Sequence, residues 1–529
     1  MAHRNLKSRA VARIVTVLVI LVLLNVVSIR LFNRIDVTEK QIFSLSPASK
    51  ELVHSLDDKL TVRAFFTDNL PAPHNNNRRM VLDELNEYKA YSNGNFQYEF
   101  LDPSGEKGEQ EAQQQGIPPV QLQVLKSDKF EVMRAYMGLV FLYEDKKEIL
   151  PVVQNIGSLE YDISSTIKRL TSKSRKKIGF LTGHGETPLS EATRVQQLLS
   201  KQYDVTSVDV SKGKVVPADV NVLIVMAPTS SFPETDKFQI DQFVMRGGKV
   251  AFLLNRVDAN LQNRFGREVT LNLDDQLRAY GLVIHPDLVR DLQCANISVM
   301  QQQFGFQIQS QVPFPLLPLV SNVNKENSMV KDLEGVMFFF ISSVDTVNLG
   351  GRNLSGQVLL SSSKQSGRQN SPFFFDPLQK YTQEDLATTF SEHNIPVAAV
   401  TSGQYKSAFE GKPVPVDTAA DAIHFAGTPL LVSPETRVVL VGDGDFVRDQ
   451  YLGNRDNLTL FANMMDYLAD DAGLISIRTK DVSLPPLEQV SDETRNMVKY
   501  GNLILPPALV LGYGLFRWRV RKARKKGME

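Results

Sequence analysis

Cysteine is almost missing from this sequence: Cys294 stands alone among 529 residues. One thiol cannot form an internal disulfide, close a multi-cysteine metal site or make a Cys-x-x-Cys redox pair. Net charge is missing too, because 59 Lys and Arg balance 59 Asp and Glu. The overall charge therefore gives no sign of a nucleic-acid partner. A phosphate-binding loop is also lacking. The nearest stretch, RGGK at 246–249, has neither the upstream glycine nor the following Ser or Thr that such a loop needs. It reads as a helix C-cap leading into a strand. Finally, Cys294 sits in DLQCANIS rather than at a Gly-x-Cys-x-Gly elbow, and none of the seven histidines pairs with it recognisably. Amide hydrolysis by an activated thiol is disfavoured on these grounds. No cofactor and no metal are expected, and the chain reads as a non-enzyme.

What is present begins with length and apolar content. A chain of this size exceeds one ordinary domain, and 42% hydrophobic residues suit a large core. Two apolar runs lie near the ends. Residues 14–32 include IVTVLVILVLLNVVSI and approach the roughly 20 residues a membrane helix needs. Residues 497–518, MVKYGNLILPPALVLGYGLFRW, form the second run. Both are expected to be transmembrane helices, with Asn25, Gly512 and Gly514 as candidate contacts to a membrane partner. Basic tails at 1–13 and 519–529 flank them. By the positive-inside rule both termini are expected in the cytoplasm of a bacterium, with the main body outside its inner membrane.

Between the runs two α/β regions are expected. Residues 45–172 read β-α-β-α-β-β, with Ser46–Pro47 opening a helix and a hairpin turning near 144–147. The order resembles a thioredoxin-like domain, but TDNLPAP occupies the place where the reactive cysteines would stand. Residues 175–480 alternate strand and helix, as in a parallel sheet with helices on its faces. A β-rich insertion spans about 296–417, and VPFPLLPLV within it reads as an apolar loop. A linker at 481–496 leads to the second apolar run.

Several segments together resemble the GldG family of ABC-transporter auxiliary proteins. They are RIDVTEKQIFSLSPASKELV, IGFLTGHGE, FVMRGGKVAFLL, VVLVGDGDFVRDQ and NLTLFANMMDYLAD, followed by the basic terminal run. The resemblance covers nearly the whole chain in the same order. It implies an accessory subunit beside an ABC-2-type permease and a separate cytoplasmic ATPase. It also implies a central domain with a flavodoxin-like, class I glutaminase-like fold. The body would bind a substrate, an envelope component or a protein partner.

The most site-like stretch is the loop after the strand KIGFLT: Gly183, His184, Gly185 and Glu186. Ligands of open α/β sheets bind where strands end and helices begin. Asp443 and Asp445, after a later strand, join these four as candidate ligand-binding residues. Two readings stay open for the loop: a tight structural turn with a capping acid, or a ligand pocket. Two alternatives to the accessory role also stand, a membrane-anchored hydrolase using this loop and a passive extracytoplasmic scaffold.

Overall fold

The computed structural model describes residues 44–469, apart from 69, 72–73, 127–128, 154–155, 173–174, 304–305, 348, 350–352, 417–424, 426 and 453. It also describes residues 16, 475, 477, 497, 499–502, 507, 511–515 and 517–519. The chain divides into two compact units, Met1–Asp481 and Val482–Glu529.

In the first α/β region, helix α1 (Pro47–His54) starts where Ser46 caps it, its hydroxyl accepting the Ser49 N–H at 3.2 Å. Pro47 fits there because the first helical N–H has no partner to lose. Strands β1 (Leu60–Phe66), β2 (Phe96–Leu101), β3 (Met137–Tyr143) and β4 (Lys146–Leu150) form one sheet in the order β2-β1-β3-β4. Strand β1 runs parallel to β2 and antiparallel to β3. The turn between β3 and β4 places Glu144 at φ 50°. Helices α2 (Asn77–Tyr91), α3 (Gly105–Gln114) and α4 (Leu159–Thr171) complete the region. Val81 and Leu85 of α2 and Ile163 and Ile167 of α4 pack on the same core as Val62, Leu139 and Phe141. One buried polar knot ties three helices: Ser164 Oγ lies 2.8 Å from Ser49 Oγ and 2.6 Å from the Tyr88 hydroxyl. Such pairing removes the cost of burying hydroxyls. A separate antiparallel hairpin joins Val120–Lys126 to Lys129–Ala135. The sequence reading found only its first strand.

The second region is built on an eight-stranded sheet. Its strands are β5 (Lys177–Thr182), β6 (Asp204–Asp209), β7 (Val220–Met226), β8 (Lys249–Leu253), β9 (Asn322–Val323), β10 (Leu354–Ser361), β11 (Pro396–Lys406) and β12 (Val432–Val441). Their order is β9-β10-β11-β12-β8-β7-β5-β6. The five strands from β6 to β12 are parallel, and β9, β10 and β11 extend the sheet antiparallel. Numbered along the chain, the parallel part follows the flavodoxin-like order 2-1-3-4-5.

The central strands are apolar on both faces because both faces are covered. Val222, Ile224 and Met226 of β7 join one core with Val195 and Leu199 of α5 (Thr193–Ser200). Leu223 and Val225 join the other with Ile240, Phe243 and Val244 of α6 (Glu234–Met245). Leu277 of α7 (Asp274–Ala279) lies on that second side, and Leu460, Phe461 and Met464 of α8 (Arg455–Leu468) on the first. Each such side chain contributes roughly 1.5–3 kcal/mol on burial. Arg246, Gly247 and Gly248 end α6: Gly247, at φ 91°, donates to Val244 O, and Gly248 to Phe243 O. The segment VPFPLLPLV is strand rather than loop, since it closes Phe306–Val320, which pairs with Cys294–Gln303. Its prolines are accommodated where the register shifts, between the pairs Cys294 with Pro318 and Asn296 with Pro313.

The expected pair of membrane helices is corrected. Among the described residues no helix is long and apolar enough to cross a membrane, and the fold they show is mixed α/β. Residues 14–32, with Asn25, lie outside the described residues except for Thr16. Of 497–518 only helical pieces are described. Lys499, Asn502 and Arg517 eat into that run from both ends, and Pro506 and Pro507 interrupt its interior. Gly512 and Gly514 lie on exposed helical residues of the second unit.

Candidate functional site

The order of the parallel strands reverses between β5 and β7, and that switch point is where such sheets leave a crevice for a ligand. Here the crevice is filled by the protein's own loops. The loop after β5 turns sharply, with Gly183 at φ 120° and Gly185 at φ 74°. The geometry demands glycine at 185, because a Cβ there would stand 2.1 Å from Thr229 Oγ1. Gly183 sits against the loop after β6, where a Cβ would meet Ser211 Cβ at 3.1 Å and Asp209 Oδ1 at 3.2 Å.

Between these exposed glycines His184 turns inward and is 3% exposed. Its Nε2 lies 3.0 Å from Asp236 Oδ2 and its Nδ1 3.3 Å from Glu186 Oε1. The ring stacks on Phe232 with centroids 3.9 Å apart. The backbone of residue 184 is fully used as well. Its N–H donates to Glu186 Oε2 at 2.7 Å, and its carbonyl accepts from the N–H groups of Thr229 and Ser230. Asp236 is shared with the next loop, its Oδ1 accepting the Gly213 N–H at 2.8 Å. Burial by itself would lower the imidazole pKa, but the hydrogen bonds and charges of Asp236 and Glu186 outweigh it and raise the value to about 9. At neutral pH His184 is an imidazolium donating from both nitrogens. Neither nitrogen has a lone pair left for a metal or for a substrate proton.

Asp443 and Asp445 follow β12 at the same edge of the sheet. Asp443 is fully buried; its Oδ2 accepts the Phe339 N–H at 2.7 Å and its Oδ1 the Asp445 N–H at 2.6 Å. Burial, then the charge of Asp445, holds this carboxyl well above the usual range, against the pull of those N–H groups. Asp445 accepts from Asn255 Nδ2 at 2.8 Å and pairs with Arg448 at 3.0 Å. Arg448 also pairs with Glu191, and Asp449 accepts the N–H groups of Thr193 and Arg194 at the start of α5.

The two loops do not share a ligand cage. The segment after β7 stands between them: Thr229 covers Gly185, while Ala227 touches the position a Cβ of Gly444 would take, 2.7 Å away. Among the described residues no group of three or more His, Cys, Asp or Glu side chains is arranged so that it could hold a metal ion. Cys294 begins a strand, and burial raises its thiol pKa, the opposite of what a nucleophile needs.

Sequence reasoning missed Asp236, Phe232, Thr229 and Arg448. Asp236 carried a faint signal as an acid in the first turn of a helix, a position any helix favours. Its partnership with His184 spans 52 positions and no spacing rule announces it.

The chain is 23% identical over 523 residues to a protein of Borreliella burgdorferi described as "Uncharacterized protein", covering 94% of this chain and 95% of that one. The mmIFT52 N-terminal domain shares 15% identity, with a TM-score of 0.33 over 55% of this chain and 96% of that domain. PurLQS from Thermotoga maritima shares 10%, with a TM-score of 0.25 over 56% and 100% of the two chains. Values this low establish no shared fold. Residues 39–142 match a domain of unknown function, DUF7088. Residues 175–470 match the family described as "ABC-type uncharacterized transport system", and since that match spans more than half of the sequence, the chain belongs to this family of auxiliary components of ABC-type transport systems.

Proposed function

We propose that this protein is a non-catalytic accessory subunit working beside an ABC-2-type permease and a separate cytoplasmic ATPase, as the GldG-like order of its segments implies. The family places it with a transporter. The observation that carries the non-catalytic part is the saturation of His184, whose two ring nitrogens are both engaged by buried carboxylates. A hydrolase using this loop would have to break that arrangement to free a base. The exposed residues Gly183, Gly185, Thr229 and Ser230 then serve as a face for docking a transported substrate, an envelope component or a protein partner. The permease holds the subunit at the bacterial cytoplasmic membrane, and motion driven by the ATPase reaches this face through protein contacts.

The test is purification of the tagged full chain from its native membrane in mild detergent. Recovery of a polytopic permease and an ATPase in fixed ratio supports the reading. Recovery of the protein alone from several detergents contradicts it. A folded His184→Gln variant that still assembles yet loses all function would favour catalysis at the loop instead.

A further inference from the structure

The β-rich insertion holds a cleft unrelated to the switch-point loops. It is small, with a cavity volume of ≈ 20 Å³, and Arg290, Phe314, Leu316, Phe374, Pro377 and Tyr381 line it. Phe314 and Leu316 are buried in a satellite core together with Phe375. Phe374 is 63% exposed, an unusual position for a large aromatic side chain, and its ring lies 5.6 Å from Phe265. Aromatic rings and prolines thus wall the cleft around a single cation.

That cation has an unfinished set of bonds. Arg290 Nε donates to Gln369 Oε1 at 3.1 Å, but among the described residues no carboxylate pairs with its terminal nitrogens. Burial lowers its pKa, partly offset by the nearby Tyr381 phenol. The acid in the lining, Asp376, is held at the rim, accepting the Leu378 N–H at 3.1 Å and facing Arg264 at 3.8 Å. The two-pronged fork of a guanidinium matches a carboxylate.

We propose that this cleft binds a carboxylate carried on an apolar group, with Arg290 gripping the carboxylate and Phe374, Pro377 and Tyr381 covering the apolar part. The enclosed volume is about that of one water, so a carboxylate oxygen enters it while the apolar group lies across the open mouth. The carboxylate comes either from a small apolar acid or from the C-terminal residue of a peptide. This inference does not rest on the transporter reading.

The experiment uses the full-length protein and calorimetric titration at low salt. The probes are N-acetylphenylalanine, the peptide Ala-Ala-Phe and the amide of each. Both the free acid and the free peptide, or one of them, is expected to bind, with its amide weaker by about tenfold or more. Binding of the free acid alone identifies a small-molecule site, and binding of the peptide identifies a C-terminus. Arg290→Gln should lose binding by a similar factor, and Phe374→Ser, on an exposed side chain, should weaken it several-fold with an unchanged circular-dichroism spectrum. The proposal is overturned if amides bind as well as acids, if folded Arg290→Gln binds like wild type, or if no probe binds at millimolar concentration. Should Arg290→Gln fail to fold, undiminished binding by Phe374→Ser overturns the proposal just as well.

Discussion

The loop after β5 and the loop after β12 leave the same edge of one sheet, and each buries carboxylates against the backbone of its neighbours. They neutralise them differently. The first loop places one imidazolium between the carboxyl groups of Glu186 and Asp236. Among the described residues no cation pairs with Asp443 in the second; burial, then the Asp445 charge, pushes its pKa well above the usual carboxylate range, while Arg448 and Asn255 attend to Asp445. The comparison shows what the histidine is for. It is the counter-ion that lets three loops close over the switch point, and removing it should do far more damage than loosening the second loop.

The largest effect expected from this contrast is that of His184→Ala. It strands two carboxylates in a buried site, and a loss of about 3–5 kcal/mol in urea unfolding is expected. A loss under 1 kcal/mol would mean the clamp is not structural. Next comes pH. The folded-state pKa of about 9 lies above the ordinary 6.5 of histidine. Its stabilising contribution is therefore complete below pH 6.5 and is lost as pH rises through 9. At 1.36 kcal/mol per unit the total is roughly 3 kcal/mol. Wild-type stability should fall across that window, and the fall should be absent in His184→Gln. Gly185→Ala forces a side chain into the left-handed region and against Thr229, for about 1–3 kcal/mol in the same unfolding assay. Arg448→Ala is the smallest. Its pairs with Asp445 and Glu191 are partly exposed, so less than about 1 kcal/mol is expected. A larger loss there would erase the difference between the two loops.

Much of the sheet was legible because its strands announce themselves. VNVLIVMAP reads as a buried strand from its unbroken apolar run, and Val222, Leu223, Ile224 and Val225 are all fully buried. The glycines of RGGK read as a helix end for a physical reason that the φ of Gly247 makes plain. The insertion was harder. Proline at 313, 315 and 318 argues for a loop by local rules, and only the register shift opposite Asn296 lets the segment stay in a strand. The apolar runs near the ends suggested membrane helices from run length alone, and among the described residues no helix is long and apolar enough to cross a membrane. At the site, the glycines and His184 stood out in the sequence. Their meaning did not, because Asp236 and Phe232 come from another element, and burial decides whether a histidine is a base or a counter-ion.

That distinction can be measured directly. With histidine-selective ¹⁵N labelling of the full chain, the His184 resonances can be assigned by their absence in His184→Gln and followed from pH 5 to 10. The account predicts that both ring nitrogens stay protonated through neutral pH and titrate with an apparent pKa of about 9. A neutral imidazole at pH 7.5, titrating near the ordinary histidine value, would contradict it and return the loop to the candidates for chemistry.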